Sequence, residues 1–270
     1  MIVLVRGGGD LASGVALRLH WAGLKVLITE LPSPLAVRRL VAFSEAVLSG
    51  EKIVEGVMAK RVSDPTDTLR MMNIWAKGQI PVVIDPEANA VAAIHPTVVV
   101  DARLLKKVVP LLPTRVNLLI GLGPGFTPGL NCHAAVETVR GPWLGRVYWN
   151  SSPLEDTGKP EEVLSQSNSR VIRSPIGGAL KVFAKIGEIV EPDQIIAQVD
   201  EVTIYAAFRG VLRGILPDGV QVQTGLKIGD LDPRCNVGLC SIVSDKALAV
   251  AGGVMEAILF KPELRKNFWA

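Results

Sequence analysis

Two glycine-rich turns and a Cys-His-Glu trio hold the residue types that can do chemistry in this chain. The first turn is Gly7-Gly8-Gly9-Asp10-Leu11-Ala12-Ser13-Gly14, with a G-x-G-x-x-A pattern at Gly7, Gly9 and Ala12. In such a pattern one glycine makes a tight turn, the second lets a phosphate approach the backbone, and the third small residue brings helix against strand. The helix that follows offers free N–H groups and a positive dipole end to an anion. Asp10 competes for those N–H groups, or caps them. Glu30 stands about twenty residues on, where a carboxylate can hold a ribose hydroxyl pair. Gly7, Gly9, Asp10, Ala12, Gly14 and Glu30 are therefore candidate cofactor-binding residues. A tight structural turn is the alternative.

The second turn, Gly121-Leu-Gly123-Pro-Gly125-Phe-Thr-Pro-Gly129, follows an apolar run and adds Gly121, Gly123 and Gly125 to the candidate cofactor-binding set. The segment 130–140 after it reads as a helix, which places His133 and Glu137 at i and i+4 on one face. Cys132 then sits near a helix start, where a thiolate is favoured. Cys132, His133 and Glu137 form the candidate catalytic set of nucleophile or sulfur carrier, base or ligand, and orienting acid. The alternative is an ordinary His–Glu pair beside a buried thiol. Arg38 and Arg39 could clamp a phosphate, whereas His20 and His95 read as structural. Cys235 and Cys240 lack the tight spacing and nearby His of a structural zinc site, so no metal site is expected.

These residues need a sheet to position them. Ile2–Val5 and Leu24–Thr29 read as strands around a helix that starts at Asp10 and stops at Gly23, a βαβ unit. A helix over Thr66–Lys77, with Asp64 as cap and Pro65 in its first turn, is followed by strands at Pro81–Ile84, Thr97–Val100 and Val116–Ile120. A last edge strand falls in Leu144–Trp149. The alternation predicts an α/β, Rossmann-like, mostly parallel sheet over residues 1–168. The polar stretch 151–170 reads as a linker.

Beyond it the pattern changes. Ile176, Gly178, Leu180, Gly187, Val190 and Ile196 recur 32 residues later as Phe208, Gly210, Leu212, Gly219, Val222 and Ile228. Each copy reads as strand, glycine turn, strand, which predicts a small β-rich barrel-sandwich module of biotinyl/lipoyl-like type over residues 169–243. The join between copies, Val199-Asp-Glu-Val-Thr203, carries no Lys, so a swinging-arm carrier is excluded in this reading. Asp230, Asp232 and Arg234 read as a turn network. Residues 244–270 form a C-terminal helix capped by Ser244, expected to pack back on the first domain because Gly252-Gly253 otherwise costs helix propensity.

Composition narrows the function classes. Of 270 residues, 49% are apolar, which supports a sizeable core and excludes a disordered chain. A net charge of +3 and 5% aromatics give no basis for nucleic-acid binding. No apolar run reaches the roughly 18 residues of a membrane span, and Met1–Arg6 is too short for a signal peptide. A cytoplasmic protein with three free thiols is expected. A homo-oligomer stays open, since doubly wound domains often pair.

The chain resembles the selenium-dependent molybdenum hydroxylase accessory family of the YqeB type, along nearly its whole length. The resemblance rests on Arg6-Gly-Gly-Gly-Asp-Leu-Ala-Ser-Gly14, Pro34-Leu-Ala-Val-Arg-Arg39, Ala42-Phe-Ser-Glu-Ala-Val47 and Gly121-Leu-Gly-Pro-Gly-Phe126. It continues through His133-Ala-Ala-Val-Glu-Thr138, Lys227-Ile-Gly-Asp-Leu-Asp-Pro-Arg234 and Ser244-Asp-Lys-Ala-Leu-Ala-Val-Ala-Gly-Gly253. Pro142, after Arg140-Gly141, stands where the resemblance leads one to expect His. The resemblance implies a cytoplasmic maturation factor for molybdenum hydroxylases, with an apo-hydroxylase as partner. Joined to the glycine turns, it predicts binding of a nucleotide-containing cofactor, NAD(P) or molybdopterin dinucleotide. Cys132 would then carry sulfur or selenium. Two other readings stay open: an NAD(P)-dependent oxidoreductase, which lacks a Tyr-x-x-x-Lys pair here, and a non-catalytic scaffold for an apo-hydroxylase.

Overall fold

A computed structural model describes residues 1–105, 107–112, 114–155, 163–164, 166 and 168–266. The linker read at 151–170 therefore falls partly outside the described residues. The chain divides into two compact units. One takes Met1–Pro34, Ala42–Thr157 and Val243–Ala270; the other takes Leu35–Val41 and Gly158–Ile242.

The first unit contains β1 (Ile2–Arg6), α1 (Asp10–Trp21), β2 (Lys25–Glu30), α2 (Glu45–Ser49), β3 (Glu51–Val54), β4 (Val57–Val62), α3 (Thr68–Ala76), β5 (Ile80–Ile84), α4 (Ala90–Ile94), β6 (Val98–Asp101), β7 (Leu118–Leu122), β8 (Ala134–Val136), β9 (Val147–Tyr148) and α5 (Asp245–Phe260). Its nine strands form one sheet in the order β3-β4-β5-β2-β1-β6-β7-β8-β9. The strands from β4 to β8 run parallel, while β3 and β9 close the two edges antiparallel. Buried on both faces, β1, β2, β5, β6 and β7 are near-continuous apolar runs rich in Val, Ile and Leu. On one face Leu4, Leu27, Val83, Val99, Leu119 and Ala135 pack against Met71 and Ile74 of α3 and Val91 of α4.

Two local expectations are revised, the cap of α3 and the helix at 130–140, and a hairpin is added between them. The cap of α3 is Asp67, whose carboxylate accepts from Arg70 N–H, whereas Asp64 folds back on Thr66. The β3–β4 hairpin turns on Glu55 and Gly56, both at positive φ (45° and 83°), as in a two-residue type I′ turn. The segment 130–140 is not a helix. Asn131 locks the preceding loop, accepting from Thr127 N–H and donating to the carbonyls of Val109 and Gly125, each at 2.8 Å. Ala134–Val136 then pairs with β7 on one side and β9 on the other. Sheet pairing overrides the helix propensity of the alanines.

The window Val237–Phe260 is, by length and composition, apolar enough to cross a membrane, although Asp245, Lys246 and Glu256 interrupt it, so it is not a continuous apolar run. Within it α5, capped by the Ser244 side chain, buries Ala247, Val250, Ala251, Gly253, Val254, Ala257 and Ile258. It packs on α1 and on β7 to β9. Glycines make the approach possible: a Cβ on Gly14 would lie 2.7 Å from Ala247 Cβ, and one on Gly253 would meet the Gly145 carbonyl.

The second unit holds β10 (Val171–Arg173), β11 (Gly178–Val182), β12 (Ile189–Val190), β13 (Ile195–Val199), β14 (Val202–Tyr205), β15 (Gly210–Ile215), β16 (Gln221–Val222) and β17 (Lys227–Asp232). They form two four-stranded antiparallel sheets, β10-β17-β15-β12 and β14-β13-β11-β16. The 32-residue repeat relates β11, β12 and β13 to β15, β16 and β17. Each copy keeps its outer two strands in one sheet and lends its middle strand to the other. Apolar residues of both copies, among them Leu180, Ile196, Leu212 and Ile228, share one core.

The expected fold class is corrected in both parts. The first sheet is mixed, with antiparallel edges and a strand where a helix was predicted, rather than a Rossmann-like domain. Among the described residues no ladder joins the two sheets of the second unit into a barrel, so the biotinyl/lipoyl-like barrel-sandwich does not stand.

The α1–α5 contact yields a stability prediction. Gly14→Val should cost about 2–3 kcal/mol, because the new side chain overpacks a closed interface. Gly9→Val, at a position with nothing within 4 Å of a new Cβ, should stay within about 0.5 kcal/mol of wild type in urea unfolding.

Candidate functional site

The C-terminal ends of the parallel strands carry most of the predicted residues. The strand order reverses between β1 and β6, and such a switch point is where open α/β sheets form a crevice. The first glycine turn lies there, at the end of β1. Gly7, at φ +94°, donates its N–H to the Thr29 carbonyl at 2.7 Å. Gly8 donates its N–H to Glu30 Oε2 at 2.7 Å, and Leu31 donates to Glu30 Oε1 at 2.7 Å. The Gly8 carbonyl accepts from Ser44 N–H and from the Ser13 hydroxyl. A Cβ on Gly8 would stand 2.8 Å from Ser44 N. Ala12 is buried, and Gly14 serves the α5 contact.

Gly9 differs from its neighbours. It is the extended N-cap of α1, no side chain caps the helix there, and nothing stands within 4 Å of where a Cβ would be. Asp10 lies in the first turn of α1. Room for an anion beside the helix N-terminus therefore exists at Gly9. Glu30 does not stand clear as a ribose acceptor; its carboxylate already holds the turn. Burial raises its pKa, opposed by the two backbone hydrogen bonds.

Sequence reasoning missed the charged group beside this turn. Arg6 and Asp101 face each other in register at the ends of β1 and β6. Arg6 Nη1 lies 3.3 Å from Asp101 Oδ2, and Arg6 Nη2 donates to the Pro86 carbonyl at 3.2 Å. Arg103 clasps the same carboxylate through Nε at 2.9 Å and Nη2 at 2.6 Å. Arg6 and Asp101 are both buried. Burial lowers the Arg6 pKa, with Asp101 opposing that shift. The available signal was polar residues ending two apolar strand runs.

The second glycine turn is filled by the chain itself. A Cβ on Gly121 would strike the Phe126 ring, one on Gly123 would lie 2.5 Å from Thr138 Oγ1, and one on Gly125 would strike the Lys107 carbonyl. Phe126 is buried in the core. The glycines here admit protein atoms, so Gly121, Gly123 and Gly125 leave no cradle for a cofactor.

The predicted trio is not assembled. With β8 in place of a helix, Cys132 and His133 precede the strand while Glu137 follows it, at opposite ends of the sheet. Glu137 is fully buried and anchors a loop: Oε1 accepts from the N–H groups of Thr138 and Val139, and Oε2 from Leu154. Cys132 is 7% exposed, and burial pushes its thiol up to about 12, opposed by a backbone hydrogen bond with Gly121. A thiolate is therefore disfavoured, contrary to the expectation from a helix start. His133 accepts the Leu119 N–H at Nδ1 (2.8 Å), which leaves its proton on Nε2. Its pKa is lowered by partial burial and by Lys261. Cys132 and His133 border a cavity of about 360 Å³ formed with Leu111, Leu112, Thr114, Arg115 and Val116.

In the second unit Asp232 is fully buried and clasped by Arg234, with Arg213 at 3.6 Å and Arg170 at 3.9 Å. Burial works to raise its pKa, but the Arg234 hydrogen bonds and charge, with Arg170, hold it below the ordinary value. This is the turn network anticipated for Asp232 and Arg234. Among the described residues no group of three or more His, Cys, Asp or Glu side chains is arranged to hold a metal ion.

No family model matches the chain. It is similar to the uncharacterized protein YqeB of Escherichia coli (strain K12), 43% identical over 258 residues, which are 96% of this chain and 47% of that protein. The chain thus spans about half the length of that curated relative, whose name carries no activity with it. Among solved structures it is similar to a succinylglutamate desuccinylase from Silicibacter sp. TM1040, at 11% identity over 85% of this chain and 84% of that one, with a TM-score of 0.26. An aspartoacylase family protein from Mesorhizobium loti matches at 13% identity, the same coverage and a TM-score of 0.26. At that TM-score neither extends its fold or activity to this chain.

Two predictions follow from the buried acids and thiols. At pH 8 a thiol with a pKa of about 12 is about one part in ten thousand thiolate. Iodoacetamide should therefore modify the half-buried Cys235 well before Cys132 or Cys240, as read by peptide mass mapping. The second concerns Glu30, whose folded pKa lies above its ordinary 4.5. Its favourable contribution is present below 4.5 and lost as pH rises through the folded value. The urea midpoint of wild type should fall relative to Glu30→Gln across that window; a pH-independent difference would refute the assignment.

Proposed function

We propose that this chain is a cytoplasmic accessory protein in the maturation of selenium-dependent molybdenum hydroxylases. In this reading it holds a nucleotide-containing ligand, NAD(P) or molybdopterin dinucleotide, at the C-terminal edge of the first unit's sheet. The opening at Gly9 carries the ligand assignment. It lies beside an α1 N-terminus without a side-chain cap, at the point where strand order reverses. A phosphate would take the N–H groups at the start of α1, and a hydroxyl could share the Glu30 carboxylate. The room for such a ligand is at the first turn, since the space at Gly121, Gly123 and Gly125 is taken by Phe126, Thr138 and Lys107. The hydroxylase role is supported by the motif resemblance along nearly the whole chain, with an apo-hydroxylase as partner. Cys132 has no carrier role in this reading, because its thiol is buried and held protonated.

A scaffold reading is favoured by one observation: Glu30 already satisfies the Gly8 N–H that a phosphate would use. Competition among NAD, NADP and molybdopterin dinucleotide, read by anaerobic native mass spectrometry, separates the two. Wild type should retain one of them, and Gly9→Val should weaken retention at least tenfold while keeping its urea midpoint. Undiminished retention by the variant, or none by wild type, would favour the scaffold.

A further inference from the structure

The cavity at the other end of the sheet is a second candidate site, independent of the Gly9 opening. Its volume of about 360 Å³ is within the range of small-molecule pockets. The wall is apolar, built by Leu112, Val116, Leu119 and Leu130. Leu130 is 63% exposed although it borders the cavity, and an apolar side chain so placed is one a ligand can cover.

The polar side chains of the lining are Thr114, Arg115, Asn131, Cys132 and His133, and of these only Arg115 carries a fixed charge. Arg115 is exposed at the rim and carries a guanidinium, the side chain suited to a carboxylate fork. His133 lines the cavity, and because its Nδ1 accepts the Leu119 N–H, Nε2 is the ring's N–H donor. The charge felt at His133 comes from Lys261, which is positive and lowers the imidazole pKa. A neutral imidazole donor, an arginine and a nearby lysine favour an anion, and the leucine wall favours an alkyl or aryl group attached to it.

We infer that this cavity binds a small apolar carboxylate, with its acid group toward Arg115 and His133 Nε2 and its tail against Leu112, Val116, Leu119 and Leu130. The assignment does not rest on the nucleotide reading, whose turn lies at the opposite ends of the strands.

Hexanoate and the neutral hexanol are the probes, titrated into the full chain and followed by amide NMR shifts at Leu119 and His133. Hexanoate should bind saturably at millimolar concentration, and hexanol at least tenfold more weakly. Arg115→Gln should bring hexanoate to the hexanol level. His133→Asn, whose Oδ1 can still accept the Leu119 N–H but whose Nδ2 donors do not reach the Nε2 position, should weaken hexanoate and leave hexanol unchanged. Leu130→Trp should block both probes. Gly9→Val should change neither, so failure here and failure of the nucleotide reading are separable. Equal binding of acid and alcohol, or an unchanged hexanoate affinity in Arg115→Gln, would overturn the proposal. Both Arg115 and Leu130 are exposed, so their variants should fold.

Discussion

Carboxylates at the C-terminal ends of the parallel strands hold the first unit's loops in place. Glu30 after β2 accepts from Gly8 and Leu31, and Asp85 after β5 accepts from Asn89 and Ala90. Asp101 ends β6 and accepts from Arg103 N–H, and Glu137 after β8 accepts from Thr138, Val139 and Leu154. A chain leaving a parallel sheet exposes N–H groups that no ladder satisfies, and burying them unpaired is costly. A carboxylate there makes charge-assisted bonds to several at once. Removing one would orphan donors as well as lose a contact.

That device decides what the sheet edge can do. The acids serve as anchors, and Arg6 and Arg103 are drawn in as counter-charges to Asp101. Close packing completes the effect. Glycines that would cradle a ligand in another protein here admit Phe126, Ser44 or Ala247. Among the described residues, open ground remains at Gly9 and, at the opposite strand ends, in the cavity beside His133.

The second unit solves a different problem. Two 32-residue copies, each too small for a core of its own, exchange their middle strands, so the apolar faces of both close over one core. Asp232 and its arginines tie down the chain where β17 ends. The turn between β13 and β14, at Asp200 and Glu201, presents no lysine.

Several features were legible in the sequence itself. Runs of β-branched residues marked β1, β2, β5, β6 and β7, because strands buried on both faces must be apolar throughout. Ser244 marked the start of α5, and the 32-residue spacing marked the strand repeat. The glycine patterns located both turns but not their contents: whether a glycine admits a ligand or a neighbouring ring depends on what the fold brings beside it. Cys132, His133 and Glu137 looked like one helical face, and β8 separated them, since pairing between β7 and β9 outweighed a local helix preference. Local propensity and spacing are written residue by residue, and they determined where β1, β2, β5, β6 and β7, the Ser244 cap and the two glycine turns lie. Burial, register and counter-charge depend on residues distant in the chain, so the tertiary structure alone decided that Cys132 is a protonated core thiol, that Glu30 closes its own turn and that Arg6 meets Asp101.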